Sequence, residues 1–94
     1  MRGSWRLRIS EEAERDMERL PRRVKLEAVD LIDSLREDPF QHNAEELRRN
    51  DKVYRIYLGG KGYRLIYRVN DHKREVLVGR IRPRGEAYKG LRNP

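Results

Sequence analysis

The chain contains no cysteine in its 94 residues, which excludes disulfides and thiolate metal sites. It has two histidines, His42 and His72, in expected loops, and neither has a partner at metal-ligand spacing. No metal and no cofactor is therefore expected. No apolar run approaches the roughly 20 residues of a membrane span. No secretory signal is visible either. The expectation is a cytoplasmic protein with no membrane contact. The length suits a single domain over residues 1–94 with a modest core. The acidic residues Glu14, Asp16, Glu18, Glu27, Asp30 and Asp33 read as solvated helix positions. No pair of carboxylates is placed for acid–base chemistry.

Charge is what the chain has in abundance. Charged residues make up 41% of it, with a net charge of +7. The two halves differ. Residues 1–47 carry 9 Lys and Arg against 12 Asp and Glu, a net of −3. Residues 48–94 carry 14 against 4, a net of +10. That asymmetry points to a polyanionic partner, either nucleic acid or an acidic protein segment.

Trp5 to Ile9 alternates apolar and basic residues and predicts a short strand, with Trp5, Leu7 and Ile9 inward. Ser10 is placed as a helix N-cap, followed by Glu11 and Glu12 in the first turn, where negative charge suits the dipole. Ala13, Met17 and Leu20 lie on one face of that helix. Pro21 suits the first position of a second helix. Its stripe is Val24, Ala28, Leu31, Ile32 and Leu35, widened by Leu26 and Val29. Asp38-Pro39 ends it, because the residue before proline is steered away from the α region. Phe40 to Lys52 reads as a connector with Leu47 as its anchor.

Val53 to Tyr88 organises the rest. Two runs rich in Val, Ile, Leu and Tyr flank a turn at Gly59 to Gly62, a hairpin signal. The alternation puts Ile56, Leu58, Tyr63, Leu65, Tyr67 and Val69 on one apolar face. Arg55, Tyr57, Arg64 and Arg68 share the other face with Ile66. A second turn covers Asn70 to Arg74. A third strand from Glu75 stops near Arg82, since Pro83 cannot donate to a ladder. Regular alternation puts Val76, Val78, Arg80 and Arg82 on one side of it and Leu77, Gly79 and Ile81 on the other. Glu86 to Leu91 suits one helical turn, which would bring Tyr88 beside the end of the sheet. The predicted order is β-α-α-β-β-β. This is an α+β fold, with a helical hairpin on one face of a small, mostly antiparallel sheet. The opposite face is open and basic.

Three stretches, WRLRIS, YRIYLGGKGYRLIYRVND and RPRGEAY, make the chain similar to the RelE/ParE toxins of toxin–antitoxin systems. The resemblance covers nearly the whole chain. RelE-like members cut mRNA in the decoding site of the ribosome, whereas ParE-like members poison DNA gyrase. The RelE branch is marked by an Arg after the Gly-rich turn, an Arg ending the last strand and a Tyr beyond it. Those positions match Arg64, Arg82 and Tyr88. The resemblance therefore implies a ribosome-dependent endoribonuclease that inhibits translation by metal-free 2′-OH attack. Its alternatives are a gyrase inhibitor, or an inactive member acting only through its antitoxin.

On that reading Arg64 and Arg82 stabilise the phosphorane with forked hydrogen bonds, and both are expected to be exposed. Tyr88 orients or deprotonates the 2′-OH, or stacks on a base. Arg55 and Tyr57 lie along the RNA, and Lys61, Arg68, Arg80 and Arg84 are expected ribosomal RNA contacts. Well-known RelE-type enzymes have lysines at the positions of Arg55 and Tyr57, which leaves the general base open. The implied partners are the ribosome, mRNA and a cognate antitoxin whose acidic, partly disordered segment wraps the toxin. Operator DNA is expected to be reached only through the antitoxin.

Overall fold

A computed structural model describes residues 5–48 and 51–85. Within them the chain order is β1 (Arg6–Ile9), α1 (Glu11–Arg19), α2 (Arg22–Glu37), β2 (Glu45–Arg48), β3 (Val53–Leu58), β4 (Tyr63–Asn70) and β5 (Glu75–Pro83). The strands form one sheet in the order β1-β5-β4-β3-β2. β1 runs parallel to β5, and every other pairing is antiparallel. The helices lie on one face. The core between the layers holds Ala13, Leu20, Val24, Ala28, Ile32 and Leu35 from the helices, and Ile56, Leu58, Leu65, Tyr67 and Val69 from the hairpin.

The hairpin pairs as its alternation predicts. Leu58 faces Tyr63, Tyr57 faces Arg64, Ile56 faces Leu65 and Tyr54 faces Tyr67. Its turn needs left-handed backbone at Gly59, Gly60 and Lys61, with φ of 57°, 60° and 77°. A Cβ on Gly59 would meet a methyl of Val24 at 3.2 Å and the Tyr63 ring at 3.3 Å. The Gly59 amide donates to the Glu27 carboxylate at 3.0 Å, which ties the turn to α2.

Four sequence expectations need correction here. First, the connector contains a strand, because Glu45–Arg48 pairs with β3. Its charged residues suit an edge position and carry no apolar alternation to betray it. Second, Leu26 and Val29 do not widen the core stripe of α2, for they are 57% and 43% exposed. Third, β5 does not alternate regularly. Ile66 pairs with Arg80 and Tyr67 with Val78, so Gly79 is the extra residue of a β-bulge. The bulge resets the faces. Val76, Val78 and Ile81 all enter the core, while Arg80 and Arg82 join Leu77 on the open face. Fourth, Asp16 is not solvated. It is 4% exposed.

Beyond Ile9, which pairs with Val78, β1 no longer covers the edge of β5. α1 takes over that edge. The Ser10 amide donates to the Val78 carbonyl at 2.9 Å. The Ser10 hydroxyl accepts the Ala13 amide at 3.0 Å, the expected N-cap, and donates to the Gly79 carbonyl at 2.8 Å. The Ile81 amide donates to Asp16 Oδ2 at 2.9 Å, and Arg80 Nε donates to the same oxygen at 2.9 Å. Side chains of one helix thus satisfy strand groups that would otherwise be buried without partners.

An aromatic series closes the other end of the core. The Trp5, Phe40, Tyr54 and Tyr67 rings follow one another with centroids 5.7, 5.8 and 5.6 Å apart. The buried Tyr67 hydroxyl donates to the Pro39 carbonyl at 2.6 Å. Burial, then the neighbouring Tyr54 and Asp38, push the Tyr67 phenol far above its ordinary value of 10.0. A raised folded-state value contributes stability that is fully present below about pH 10 and is lost as pH rises through it. Tyr67→Phe is expected to cost about 1–2 kcal/mol near neutrality. The gap from wild type should close above about pH 10, where the unfolded tyrosine ionises. Urea denaturation of both proteins across that range checks this. A gap that stays constant would contradict it.

Candidate nucleic-acid interface

The open face of the sheet presents cross-strand rows, because paired residues on neighbouring strands share a face. Tyr57 on β3 faces Arg64 on β4, and Arg64 faces Arg82 on β5. In the adjacent row Glu45 faces Arg55, Arg55 faces Ile66, and Ile66 faces Arg80. Val53, Arg68 and Leu77 make the next one. The bulge at Gly79 brings Arg80 and Arg82 onto this face.

Tyr57 is the centre of the cationic part. The Arg55 and Arg64 guanidiniums lie over its ring, 4.9 and 5.0 Å from the centroid. Lys61 Nζ, from the hairpin turn, is 5.7 Å from the same centroid. These are cation–π distances. The Tyr57 hydroxyl accepts a hydrogen bond from Arg64 Nη2 at 3.3 Å. That bond lowers the phenol from its ordinary 10.0, and the Arg55 and Arg64 charges lower it further, against burial and Glu45. Arg55 is itself paired with the Glu45 carboxylate on β2.

Arg64 is 6% exposed, contrary to the expectation of an exposed charge. It lies in the middle strand of its row, between Tyr57 and Arg82, so neighbours shield it on both sides. Arg82 is half-buried and meets the expectation better. It borders a cleft of about 160 Å³ lined also by Asp16, Arg19, Tyr63 and Ile81. Arg80 is held by Asp16 and is occupied in supporting the strand. Arg68 is exposed beside Val53 and Leu77. Arg84 is exposed just past β5, and its amide donates to the Gly62 carbonyl at 2.9 Å. Tyr88 lies outside the described residues. His42 and His72 are exposed in turns, as expected.

Two participants were missed by pattern reading, namely Asp16 and Glu45. Asp16 had a signal. It falls between Ala13 and Leu20 on the apolar stripe of α1, where a carboxylate must find buried donors. Glu45 had none, since its place opposite Arg55 depends on the unforeseen strand β2.

A second, apolar patch lies on the same face. Val53 and Ile66 are buried there, with Leu47 packed against them. Val53, Ile66, Arg68, Leu77 and Arg80 border a shallow hollow of about 210 Å³.

The fold is shared with chains of known structure. The family model for the ParE toxin of type II toxin–antitoxin systems matches residues 7–88. The chain belongs to that family and is a toxin of a type II toxin–antitoxin system. Its architecture is that of RelE structures. It is 29% identical to a chain in the intact RelBE toxin–antitoxin complex of E. coli, covering 84% of this chain and 95% of that one, with a TM-score of 0.72. It is 28% identical to a chain in the RelBE2 complex of Mycobacterium tuberculosis, covering 86% and 99%, with a TM-score of 0.71. A mutant of E. coli RelE in the free state is 27% identical, covering 97% and 99%, with a TM-score of 0.76. No curated protein sequence matches the chain significantly.

Proposed function

We propose that this toxin is a ribosome-dependent endoribonuclease that cuts mRNA and so stops translation. The observation that carries the reading is the row Tyr57–Arg64–Arg82, which lines a hydroxyl and two guanidiniums across three adjacent strands. Two arginines fixed on neighbouring strands suit a phosphorane, whose charge grows as the 2′-oxygen attacks and the 5′-oxygen leaves. Arg55 and Lys61 extend the positive surface along the RNA backbone. Arg68 and Arg84 are placed for less specific phosphate contacts, whose affinity falls steeply with salt. Tyr88 orients the 2′-hydroxyl or stacks on a base. Primer extension on a translated mRNA tests the reading. Cuts that appear only when ribosomes are present support it, and an intact message contradicts it.

The family match favours a second reading, because it is to the ParE toxin. ParE-like inhibition of DNA gyrase would proceed by binding and would not require the arginine row. A supercoiling assay separates the two readings.

Either activity calls for a neutralising partner. RelE chains similar to this one occur in complexes with RelB antitoxins. The patch of Val53, Ile66, Leu47 and Leu77, flanked by Arg68 and Arg80, suits an acidic amphipathic antitoxin segment. Such binding would bury apolar surface and neutralise arginines together. Its affinity, read by fluorescence anisotropy with the cognate antitoxin, is expected to fall as salt rises from about 0.1 to 0.5 M. Affinity insensitive to salt would contradict a charge-complementary site.

A further inference from the structure

The row that suits the phosphorane lacks an obvious base, and Tyr88, which the family resemblance offers for that role, lies outside the described residues. Arginine holds its proton at any working pH, so neither Arg64 nor Arg82 can take one from a ribose hydroxyl. The neighbouring Arg55 has the same limitation. His42 and His72 are exposed in turns outside the row. Glu45 is nearby, but its carboxylate is engaged with Arg55 in the adjacent row. Tyr57 is the member of the row whose oxygen can both lose and accept a proton.

Its surroundings favour the ionised form. Arg55, Lys61 and Arg64 place three cationic groups within 5.7 Å of the ring centroid. Arg64 also donates a hydrogen bond to the phenol oxygen. A charge-assisted bond to a phenolate is stronger than one to a phenol, so the contact gains strength as the proton leaves. The oxygen is already held on the guanidinium that would contact the phosphate. A base must reach the 2′-hydroxyl beside that phosphate, and this geometry places one there.

Given the endoribonuclease reading, we propose that Tyr57 is the general base that takes the proton from the attacking 2′-hydroxyl of the RNA. The phenolate oxygen accepts that proton as the 2′-oxygen forms its bond to phosphorus. The bond from phosphorus to the 5′-oxygen breaks, and the leaving oxygen takes a proton from water. The products are a 2′,3′-cyclic phosphate and a 5′-hydroxyl. Tyr57 returns its proton to water and is ready again. No oxidant, metal or further reactant enters this balance.

Tyr57→Phe is the test, since it keeps the ring under the guanidiniums and removes only the oxygen. Cleavage on ribosomes is expected to fall about a hundredfold. The pH profile should change with it. The wild-type rate should rise with pH and level off at a lower pH than an ordinary tyrosine would give, as the lowered phenol completes its ionisation. The residual rate of the variant should rise without levelling. Tyrosinate absorbance gives a readout independent of ribosomes. One of the five tyrosines should ionise early in the wild-type protein, and that step should vanish in Tyr57→Phe. Equal cleavage by wild type and Tyr57→Phe would overturn the assignment while leaving the nuclease reading intact. So would a loss in Glu45→Gln without one in Tyr57→Phe. A wild-type protein that does not cut at all would instead overturn the nuclease reading on which the assignment rests.

Discussion

Arg82→Ala is expected to lower cleavage of ribosome-bound mRNA by a hundredfold or more while leaving the fold intact. The expectation follows from what the side chain does at each level. Arg82 lies near the end of β5, half-buried, and its strand pairs with Arg64 through backbone groups that truncation leaves in place. Stability should therefore move by only about 1 kcal/mol, the usual size for a single substitution. Activity should move far more, because a donor aimed at developing charge is worth about 100- to 1000-fold. Arg64→Ala cannot make the same separation. Arg64 is buried and holds the Tyr57 hydroxyl, so its removal should reduce both cleavage and stability. Circular dichroism and thermal melts beside the cleavage assay distinguish the two variants. An Arg82→Ala protein that unfolds would contradict the placement of this side chain.

Asp16→Ala is expected to lower stability by about 3 kcal/mol. Asp16 accepts from the Ile81 amide and from Arg80 while almost wholly shielded from water. Truncation would leave the amide of a buried strand residue without a partner. It would also release Arg80, which is exposed enough to recover part of its hydration. The cost is therefore kept at the low end for a broken buried pair. For a domain of this size it corresponds to a melting point lower by roughly 15 °C. Asp16→Asn retains an acceptor for Ile81 and should lose about half as much. Urea denaturation of the three proteins checks both expectations. A melting point unchanged in Asp16→Ala would show that α1 does not hold the edge of β5.

The hairpin was legible in the sequence because two independent signals agreed. Apolar alternation set the inward face from Ile56 to Val69, and the Gly59–Gly62 turn set the register. The N-cap at Ser10 and the helix stop at Asp38-Pro39 were legible for similar local reasons. β5 was not. A single extra residue at Gly79 reverses the parity of the strand, and glycine carries no side chain to reveal it. Without the bulge, Arg80 and Arg82 would share a face with Val76 and Val78. β2 was hidden because Glu45 and Glu46 match neither period of apolar residues. The site divides in the same way. Arg55, Tyr57 and Arg64 could be grouped by alternation, but the burial of Arg64 and the joining of Arg82 depend on neighbouring strands and on the bulge. The support from Asp16 depends on a helix crossing the sheet edge, a contact spanning more than sixty residues of sequence.

Primer extension on an mRNA in a purified translation system tests the central claim most directly. The toxin is added with ribosomes, without them, and as Arg82→Ala with ribosomes. Cuts are expected in the first reaction alone. An intact message in all three, together with loss of gyrase supercoiling in a parallel assay, would contradict it and establish the ParE-like activity instead.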